Sequence, residues 1–327
     1  MQKEGGSLRA KIAAGLACLA LALAAALLPV RRAEGEAEAP GQEGYYGADA
    51  DISFAALSGG ELVQTTMAEW LPGVVAAEMP ASFEDEALRA QAVAARTYIL
   101  HLMGSGKAAH PEAAVCDDPA CCKAHLDRES LRGSWGGSFD SNYEKVFEAA
   151  SSTDGQYLAW EGEAIEAVFH SSSAGMTEDA AEVWSARPYL VSVSSPETAG
   201  DVPDYVTSVE VSPEDFAAKL TALRPVADLS GGPAGWLGPL ERDGSGRVES
   251  VEIGGESFTG QELREAFSLR STAFTLDCTG EAFLFTVTGY GHGVGMSQYG
   301  ANVMAEGGAD YREILAHYYP GTELVGA

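Results

Sequence analysis

Glu78 is the residue that this sequence places best for chemistry. It is followed by Met79 and Pro80, so it lies where an apolar helix must end, because proline has no backbone N–H and biases the residue before it away from helical geometry. A carboxyl among apolar neighbours has a raised pKa and can act as a general acid near neutral pH. The alternative is an ordinary surface glutamate at a helix end.

A long alanine-rich helix is predicted beside Glu78, over residues 83–103. Ser82 is its predicted N-terminal cap, with Asp85 three residues on, and Gly104 is its predicted stop. We predict that three polar side chains of this helix bind substrate: Gln91, Arg96 and Tyr98. For Arg96 a salt bridge to an acidic group is the alternative.

The loop after this helix carries candidate metal ligands. His110, Cys116 and Cys122 are spaced by six and six residues, with Cys121 and His125 beside them. Imidazole and thiolate suit zinc, and three protein ligands leave a fourth position for water or Cys121. The spacing matches no standard zinc finger, and an oxidising exterior would allow disulfides. The residues alone therefore leave zinc and a disulfide as alternatives.

Two turns near apolar strands carry further polar groups. Residues 289–301 contain four alternating glycines, which predict close backbone approach or positive φ angles. A strand at 164–170 leads into a Ser-Ser-Ser-Ala-Gly turn, after which Thr177 and Glu178 are placed to start a helix. Sugar hydroxyls are the predicted partners of polar residues in both turns: His170, Ser171, Ser172, Ser173, Thr177, His292, Gln298 and Tyr299.

The charge of the chain limits its function. It has 20 basic and 48 acidic residues, a net charge of −28. Residues 1–32 hold five of the basic and one of the acidic residues, so 15 against 47, or −32, remain for the rest. Binding to a phosphate backbone needs clustered Lys and Arg, so we expect no nucleic-acid partner.

The N-terminus has the composition of a membrane segment. An apolar run of nineteen residues, 12–30, has basic residues on both sides and is long enough to span a bilayer. It lacks a clean cleavage site, so residues 1–32 are predicted to be a membrane anchor or an uncleaved signal. Residues 33–50, rich in Glu, Ala, Gly and Pro, are predicted to be an acidic flexible tether.

The rest of the chain is predicted to be α+β, since its elements show no regular βαβ alternation. Residues 51–202 and 277–327 are predicted to form a helix-rich catalytic lobe with short strands. Residues 203–276 form a smaller inserted α+β lobe in this prediction, and a strand at 282–287 returns the chain to the main lobe. Other predicted elements are a hairpin at 51–63, helices at 67–79, 213–223, 260–267 and 298–306, and strands at 147–150, 157–160, 206–211 and 247–253.

Five stretches in the same order resemble the stage II sporulation protein D family of peptidoglycan lytic transglycosylases. They are VVAAEMP, EALRAQAVAARTY, HSSSAGMTE, WSARPYL and GYGHGVGMSQYGA, and the resemblance runs from about Asp51 to Gly321. It implies that Glu78, of the EMP motif, is the catalytic acid. The same residue would then act as a base on the muramyl 6-hydroxyl, leaving an anhydro end on the glycan.

The resemblance also implies a substrate, partners and a location. The substrate would be peptidoglycan glycan strands from which an amidase partner has removed the stem peptides. The N-terminal segment would hold the protein in the membrane, with the body outside the cytoplasm and facing the septal or intermembrane wall space of a sporulating, engulfing cell.

The resemblance favours zinc in the cysteine loop. Some family members bind zinc there through one His and two Cys at matching spacing, which implies His110, Cys116 and Cys122 as ligands of a structural or orienting metal. Directly after Cys122 this chain departs from the family, because Lys123 and the residues that follow replace the usual Gln and aromatic.

Two other classes of function stay open. The first is a non-catalytic peptidoglycan-binding module, since relatives described as amidase enhancers share these motifs. The second is a zinc hydrolase that acts through the cysteine-loop site.

Overall fold

The computed structural model describes residues 47–225 and 227–326. The predicted membrane anchor, and all but the last four residues of the predicted tether, lie outside this part of the chain. None of the helices within it is long and apolar enough to cross a bilayer.

Helices and strands alternate irregularly along the described residues. The helices are α1 Ala48–Asp51, α2 Met67–Glu78, α3 Asp85–Ser105, α4 Arg128–Trp135, α5 Phe139–Ser151, α6 Ala180–Val183, α7 Pro213–Leu223, α8 Gly260–Phe267, α9 Gln298–Glu306 and α10 Tyr311–Tyr318. The strands are β1 Ser53–Ser58, β2 Glu61–Thr66, β3 Val115–Cys116, β4 Tyr157–Trp160, β5 Glu163–Ala164, β6 Phe169–His170, β7 Val206–Val211, β8 Leu237–Arg242, β9 Val248–Ile253, β10 Glu256–Thr259, β11 Phe274–Cys278, β12 Phe283–Thr288, β13 Met296–Ser297 and β14 Glu323–Val325.

The strands form several small sheets, so the predicted α+β class is confirmed. Their orders are β2–β1–β3, β14–β4–β5, β10–β9–β8 and β11–β12–β7, with β6 and β13 as a parallel pair. In that pair His170 lies beside Ser297, which joins the two predicted polar turns at one place.

The long helix α3 lies at the centre of the main hydrophobic cluster. Helices α2, α5, α9 and α10 pack on it. Most of its alanines are fully buried, as expected for a helix that is apolar around most of its circumference. Glu78, the last residue of α2, is therefore held on a firmly packed support.

The ends of these two helices differ in part from the predictions. Thr66 caps α2 and forms a reciprocal capping box with Glu69. Ser82 does not cap α3; Glu84 occupies the cap position without a side-chain bond to the helix. At the other end α3 passes Gly104 and stops at Gly106, whose φ of 70° suits a residue without a Cβ.

Two local predictions are wrong. Residues 147–150 are the last turn of helix α5 rather than a strand. Phe139, Tyr143 and Phe147 stack along one side of that helix, with ring centres 5.4 and 6.3 Å apart. Thr177 and Glu178 do not start a helix either, since α6 begins at Ala180 with the Asp179 side chain as its cap.

A second hydrophobic cluster lies in the region predicted as an inserted lobe. Helices 213–223 and 260–267 agree with the prediction, each capped by a hydroxyl residue just before it. Strand β12 was predicted to return the chain to the main lobe, but it pairs with β7 and β11, and Phe283, Phe285 and Val287 belong to the second cluster. We therefore propose that the inserted lobe extends to Thr288.

Candidate active site

Glu78 lies at the edge of a cleft of about 360 Å³. Apolar side chains dominate its lining, and Glu78 supplies the only carboxyl group among the described residues there. The lining residues are Ala76, Ala77, Glu78, Met79, Pro80, Ala81, Phe83, Trp135, Ser171, Gln298 and Tyr299. The cleft therefore presents one carboxylic acid on a wall that combines apolar side chains with a few polar groups.

The carboxyl group of Glu78 is half-buried and has one backbone partner. Its Oε1 accepts a hydrogen bond of 2.8 Å from the N–H of Ala124. Burial raises the pKa of Glu78, while the Lys123 ammonium and the Ala124 N–H oppose part of that rise. A raised pKa makes the carboxyl hold its proton more readily than a free glutamate does, which is the direction that a general acid needs.

Lys123 is the cation associated with this acid. Its Nζ lies 3.9 Å from the centre of the Phe169 ring and 4.8 Å from that of Tyr98. Burial lowers the pKa of Lys123 to about 8, and the Glu78 carboxylate opposes that change. Tyr98, predicted to bind substrate, thus lies beneath an ammonium group and is itself buried.

Three predicted substrate-binding residues join Glu78 in the cleft: Ser171, Gln298 and Tyr299. Gln298 donates from Nε2 to the backbone carbonyl of Glu78 at 2.9 Å and to Oε1 of Gln91 at 3.3 Å. Tyr299 packs edge-to-face on Phe83, with ring centres 4.9 Å apart. The N-terminus of α9 and the C-terminus of α2 therefore meet at the acid.

His292 lies on the glycine-rich turn and is half-buried. Its ring centre is 5.6 Å from that of His170 and 5.0 Å from that of Trp184, whose side chain is half exposed. Burial lowers the pKa of His292 to about 3, so the ring is neutral at physiological pH. Its Nδ1 accepts from the N–H of Val294 at 3.1 Å, which leaves Nε2 with the proton.

Most of the other predicted substrate-binding residues are buried and have partners within the protein. His170 contacts the Val294 carbonyl through Nδ1 at 3.2 Å and the Ser173 hydroxyl through Nε2 at 2.7 Å. Thr177 accepts from Val193 N–H at 2.9 Å. The buried members of the predicted set are Gln91, Arg96, Tyr98, His170, Ser172, Ser173, Thr177 and Gln298.

The prediction for Arg96 needs correction. Its side chain has no exposed surface, and the guanidinium forms a salt bridge to Asp49 with Nη2–Oδ2 at 2.7 Å. It also donates to the carbonyls of Ala150 and Gln156. A residue so enclosed cannot reach a ligand, so the structure gives Arg96 the role named as the alternative, a salt bridge.

The cysteine loop brings four candidate metal ligands together. The ligand atoms of His110, Cys116, Cys121 and Cys122 all lie within 4.8 Å of one another, and the three thiols are free. Cys121, named as an alternative to water, thus joins the three predicted ligands. The cluster could hold a metal ion.

The donor set fits zinc. Tetrahedral zinc with Zn–S bonds of ~2.3 Å needs ligand atoms about 3.8 Å apart, and His110 Nε2 lies 3.2 Å from Cys122 Sγ. His110 Nδ1 contacts the Ala113 carbonyl at 3.0 Å, which directs the Nε2 lone pair at the cluster. Three thiolates and one imidazole would fill the tetrahedron, as in structural sites rather than catalytic ones.

The cysteine loop is also fastened to helix α2 on its other side. The His125 ring lies flat on Trp70, with ring centres 3.6 Å apart and an angle of 5° between the planes. Gly73 makes room for it, since a Cβ there would lie 2.5 Å from His125 Nε2. The N–H of Leu126 donates to the Gly73 carbonyl at 3.2 Å. Lys123 and Ala124 lie between these attachments: Ala124 N–H donates to Glu78, and Lys123 acts on Glu78 only through its charge.

A larger cavity, about 690 Å³, lies between the β1–β2 hairpin and the start of α2. Its wall includes Glu69, Asp127 and Glu129. Glu69 accepts from Thr66 N–H at 3.1 Å in the capping box, and Asp127 caps helix α4 by accepting from Ser130 N–H at 2.7 Å. We place the candidate active site in the smaller cleft because Glu78 caps no helix and burial raises its pKa.

The sequence did not identify several residues of the site. In the sequence Lys123 stands out only as a departure from the family, and no pattern marks Trp135 or Phe83 as part of the site. For Trp184 a signal was present, because it begins one of the five stretches that carry the family resemblance. Trp135 reaches the cleft through helix α4. Lys123 does not line the cleft but comes close to Glu78 through the path of the cysteine loop. No local pattern predicts either position.

Comparison with known proteins shows which family this chain is similar to. A sequence profile of the family described as Stage II sporulation protein matches residues 60–160, which include Glu78 and the cysteine loop. Stage II sporulation protein D of Bacillus subtilis (strain 168) is 39% identical over 259 residues, covering 78% of this chain and 73% of the relative. The protein of the same name from Bacillus amyloliquefaciens is 38% identical over 258 residues, with the same coverage.

A more distant relative carries a different name. The protein called amidase enhancer in Bacillus subtilis (strain 168) is 29% identical over 306 residues, covering 78% of this chain but 40% of the relative. The identity and coverage of the two sporulation proteins are sufficient to assign the family. This chain belongs to the stage II sporulation protein D family.

Proposed function

We propose that this protein is a lytic transglycosylase that cleaves the bond between N-acetylmuramic acid and N-acetylglucosamine in denuded peptidoglycan strands. In this proposal it leaves anhydromuramyl ends and acts in septal wall remodelling during sporulation and engulfment. Glu78 is the catalytic residue. The observation that carries the proposal is that Glu78 is the only carboxyl among the described residues of its cleft.

The number of carboxyl groups separates two classes of glycan cleavage. Hydrolytic glycosidases usually use two carboxyls, ~5–9.5 Å apart, one as acid and the other as nucleophile or base. A lytic transglycosylase needs only one, since the substrate's own hydroxyl replaces water. The single acid at this cleft supports the second class.

The proposed reaction uses Glu78 twice. Its carboxyl first protonates the glycosidic oxygen as the bond from that oxygen to muramyl C1 breaks. The carboxylate then removes the proton of the muramyl 6-hydroxyl, and O6 bonds to C1. The proton count is unchanged at the end, so Glu78 is ready for another cycle without water entering the reaction.

The surroundings of Glu78 support both steps. Its apolar neighbours Met79 and Ala77 and the aromatic rings of the cleft favour the neutral acid by burial. The Ala124 N–H and the Lys123 charge stabilise the carboxylate that forms after proton transfer. Opposing influences of this kind place the pKa between that of a free glutamate and that of a fully buried one.

We also propose zinc at the cysteine cluster, held by His110, Cys116, Cys121 and Cys122. A bound zinc would supply a cross-link that stabilises the thiolates and fixes the loop. The loop would affect the acid by holding Ala124 in place, because Ala124 lies two residues beyond Cys122 and donates to Glu78. A filled tetrahedron offers no position for an activated water, which argues against the zinc-hydrolase alternative.

The partners and location of the protein are part of the proposal. We propose that an amidase removes the stem peptides first. Residues 1–32 would anchor the protein in a membrane with its body on the side of the wall, which is consistent with the apolar run between basic residues.

A second candidate function is favoured by the relative named amidase enhancer. In this reading the cleft binds glycan without cleaving it and aids a partner amidase. Purified, peptide-free glycan strands separate the two functions, because they offer no substrate to an amidase. We expect the protein alone to shorten these strands; strand binding without any shortening would favour the second candidate.

A further inference from the structure

Lys123 lies at the point where the cysteine loop passes the acid. Its Nζ sits over the faces of Phe169 and Tyr98, at 3.9 and 4.8 Å from the ring centres, and the side chain is half-buried. The next residue, Ala124, donates to Glu78. The ammonium is therefore held beside the reacting carboxyl by two aromatic faces and by the loop on either side.

Within residues 47–225 and 227–326 this ammonium has no anionic partner in contact. Lys123 takes part in none of the salt bridges, and Nζ donates no hydrogen bond to another described group. Charges that are partly removed from water are normally paired. Its electrostatic partner is Glu78, the proposed acid, which is neutral while it holds its proton. In a chain with a net charge of −28, an ammonium that contacts no carboxylate beside the candidate active site points to an anionic group of the ligand.

The proposed substrate supplies such a group next to the bond that breaks. The lactyl substituent of N-acetylmuramic acid is attached to the same sugar ring whose C1 loses the glycosidic oxygen. When a stem peptide is attached, that lactyl group ends in a neutral amide. When the peptide has been removed, it ends in a carboxylate, so peptide removal creates one negative charge per disaccharide.

We propose that Lys123 is a specificity-determining residue that binds the free lactyl carboxylate and thereby selects denuded strands over peptide-bearing ones. The inference rests on the proposed function, because it takes a muramyl sugar as the occupant of the cleft. The Lys123 contact would explain why the protein prefers denuded strands. The lactyl carboxylate is available only after the peptide is removed, and an amide in the same place gives the ammonium no anionic partner.

Binding in a background without turnover tests this proposal separately from cleavage. The Glu78→Gln protein is titrated with short glycan strands whose lactyl groups are free carboxylates, and with the same strands converted to methyl amides. We expect the carboxylate form to bind about tenfold more tightly, the usual size of one charged hydrogen bond. Equal affinity for the two ligands would overturn the proposal.

Variants of Lys123 make the test specific. Lys123→Met should lower affinity for the carboxylate ligand to that for the amide and leave amide binding unchanged, while Lys123→Arg should keep the preference. Lys219→Met, in helix α7 of the inserted lobe, removes the same charge away from the cleft and should behave as the parent. An equal loss of affinity for both ligands in Lys123→Met would show a packing role and contradict the proposal.

The outcomes separate the two proposals. If the wild type fails to cleave either strand but prefers the carboxylate through Lys123, the lytic activity is wrong and the Lys123 contact stands. If the wild type cleaves both strands equally well and Lys123→Met does not change that, the lytic activity stands and the Lys123 contact is wrong.

Discussion

The backbone N–H of Ala124 donates a hydrogen bond of 2.8 Å to Oε1 of Glu78. This contact joins two parts of the chain that are 46 residues apart, the end of helix α2 and the cysteine loop. It links the candidate metal cluster to the candidate acid without placing any metal ligand in the cleft. We therefore expect the loop to act as a support for the acid.

The first prediction concerns this support. We expect one zinc per chain by elemental analysis, and we expect Cys116→Ser to lower it, because a hydroxyl is a poorer zinc ligand than a thiolate. The loop should then be cleaved faster by protease, and glycan cleavage should fall by less than for a change at Glu78.

Cys278→Ser is the matched control, since Cys278 is a free thiol of the inserted lobe outside the cluster. It should leave the metal content and the proteolysis rate unchanged. A protein prepared without reductant that contains no metal but a disulfide between Cys116 and Cys122 would contradict the zinc assignment.

The second prediction concerns the glycine-rich turn. Gly293 has a φ of 88°, and a Cβ there would lie 2.5 Å from Cζ of the buried Arg247. We expect Gly293→Val to cost about 2–4 kcal/mol of stability through strain and overlap. His292→Ala should keep the melting temperature and weaken glycan binding, because His292 is half-buried beside the exposed Trp184 ring.

Gly308→Val is the control that introduces backbone strain without steric overlap, because Gly308 has a φ of 93° with open space where its Cβ would be. Gly308→Val should lower the free energy of unfolding by less than Gly293→Val. Melting curves and glycan titrations on all three variants are the measurement. If His292→Ala binds glycan like the wild type, the turn only packs against its neighbours and His292 is not part of the site.

The third prediction concerns the pH dependence of stability. Burial and the nearby Asp243 raise the pKa of Glu178 to about 7, although the Ser245 hydroxyl and the Asp179 N–H oppose the rise. The buried Arg247, whose Nε lies 3.6 Å from Glu178 Oε2, also favours the carboxylate, and we expect burial to outweigh it. Between pH 4.5 and 7 the folded state then binds a proton that the unfolded state has released, so stability falls as the pH rises through this window. Glu178→Gln removes that dependence.

Denaturant unfolding at pH 5 and pH 8 checks whether stability falls as the pH rises. Between pH 5 and pH 8 the free energy of unfolding of the wild type should fall by roughly 2 kcal/mol more than that of Glu178→Gln. Glu182→Gln changes an exposed neighbour on α6 and should follow the wild type. Parallel pH curves for wild type and Glu178→Gln would show that Glu178 titrates normally in the folded protein.

Local signals predicted part of this fold well. Helices α7, α8 and α9 agree with the sequence at both ends, since caps such as Ser212 and Thr259 are encoded next to the helices they start. Residues 147–150 were predicted wrongly because β-prone aromatic residues can also form a helical stripe when they recur every four positions. Ser82 looked like a cap, but the chain makes another turn before α3 begins.

Contacts distant in sequence could not be predicted in this way. The partner of Arg96 is Asp49, 47 residues earlier, and nothing near either residue indicates the pair. Lys123 and Ala124 reach Glu78 only because the loop is held at the cysteine cluster and by His125 on Trp70. The acid itself could be predicted, because the Met-Pro that ends its helix is adjacent in sequence.

We propose that Glu78 alone cleaves the glycan by acid–base catalysis. Mass spectrometry of the products from denuded glycan strands tests this, with wild type, Glu78→Gln and the control Glu306→Gln at the end of α9. We predict anhydromuramyl ends from the wild type and the control, and a rate at least about 100-fold lower for Glu78→Gln with an unchanged melting temperature. Reducing muramyl ends from the wild type, or near wild-type cleavage by Glu78→Gln, would contradict the claim.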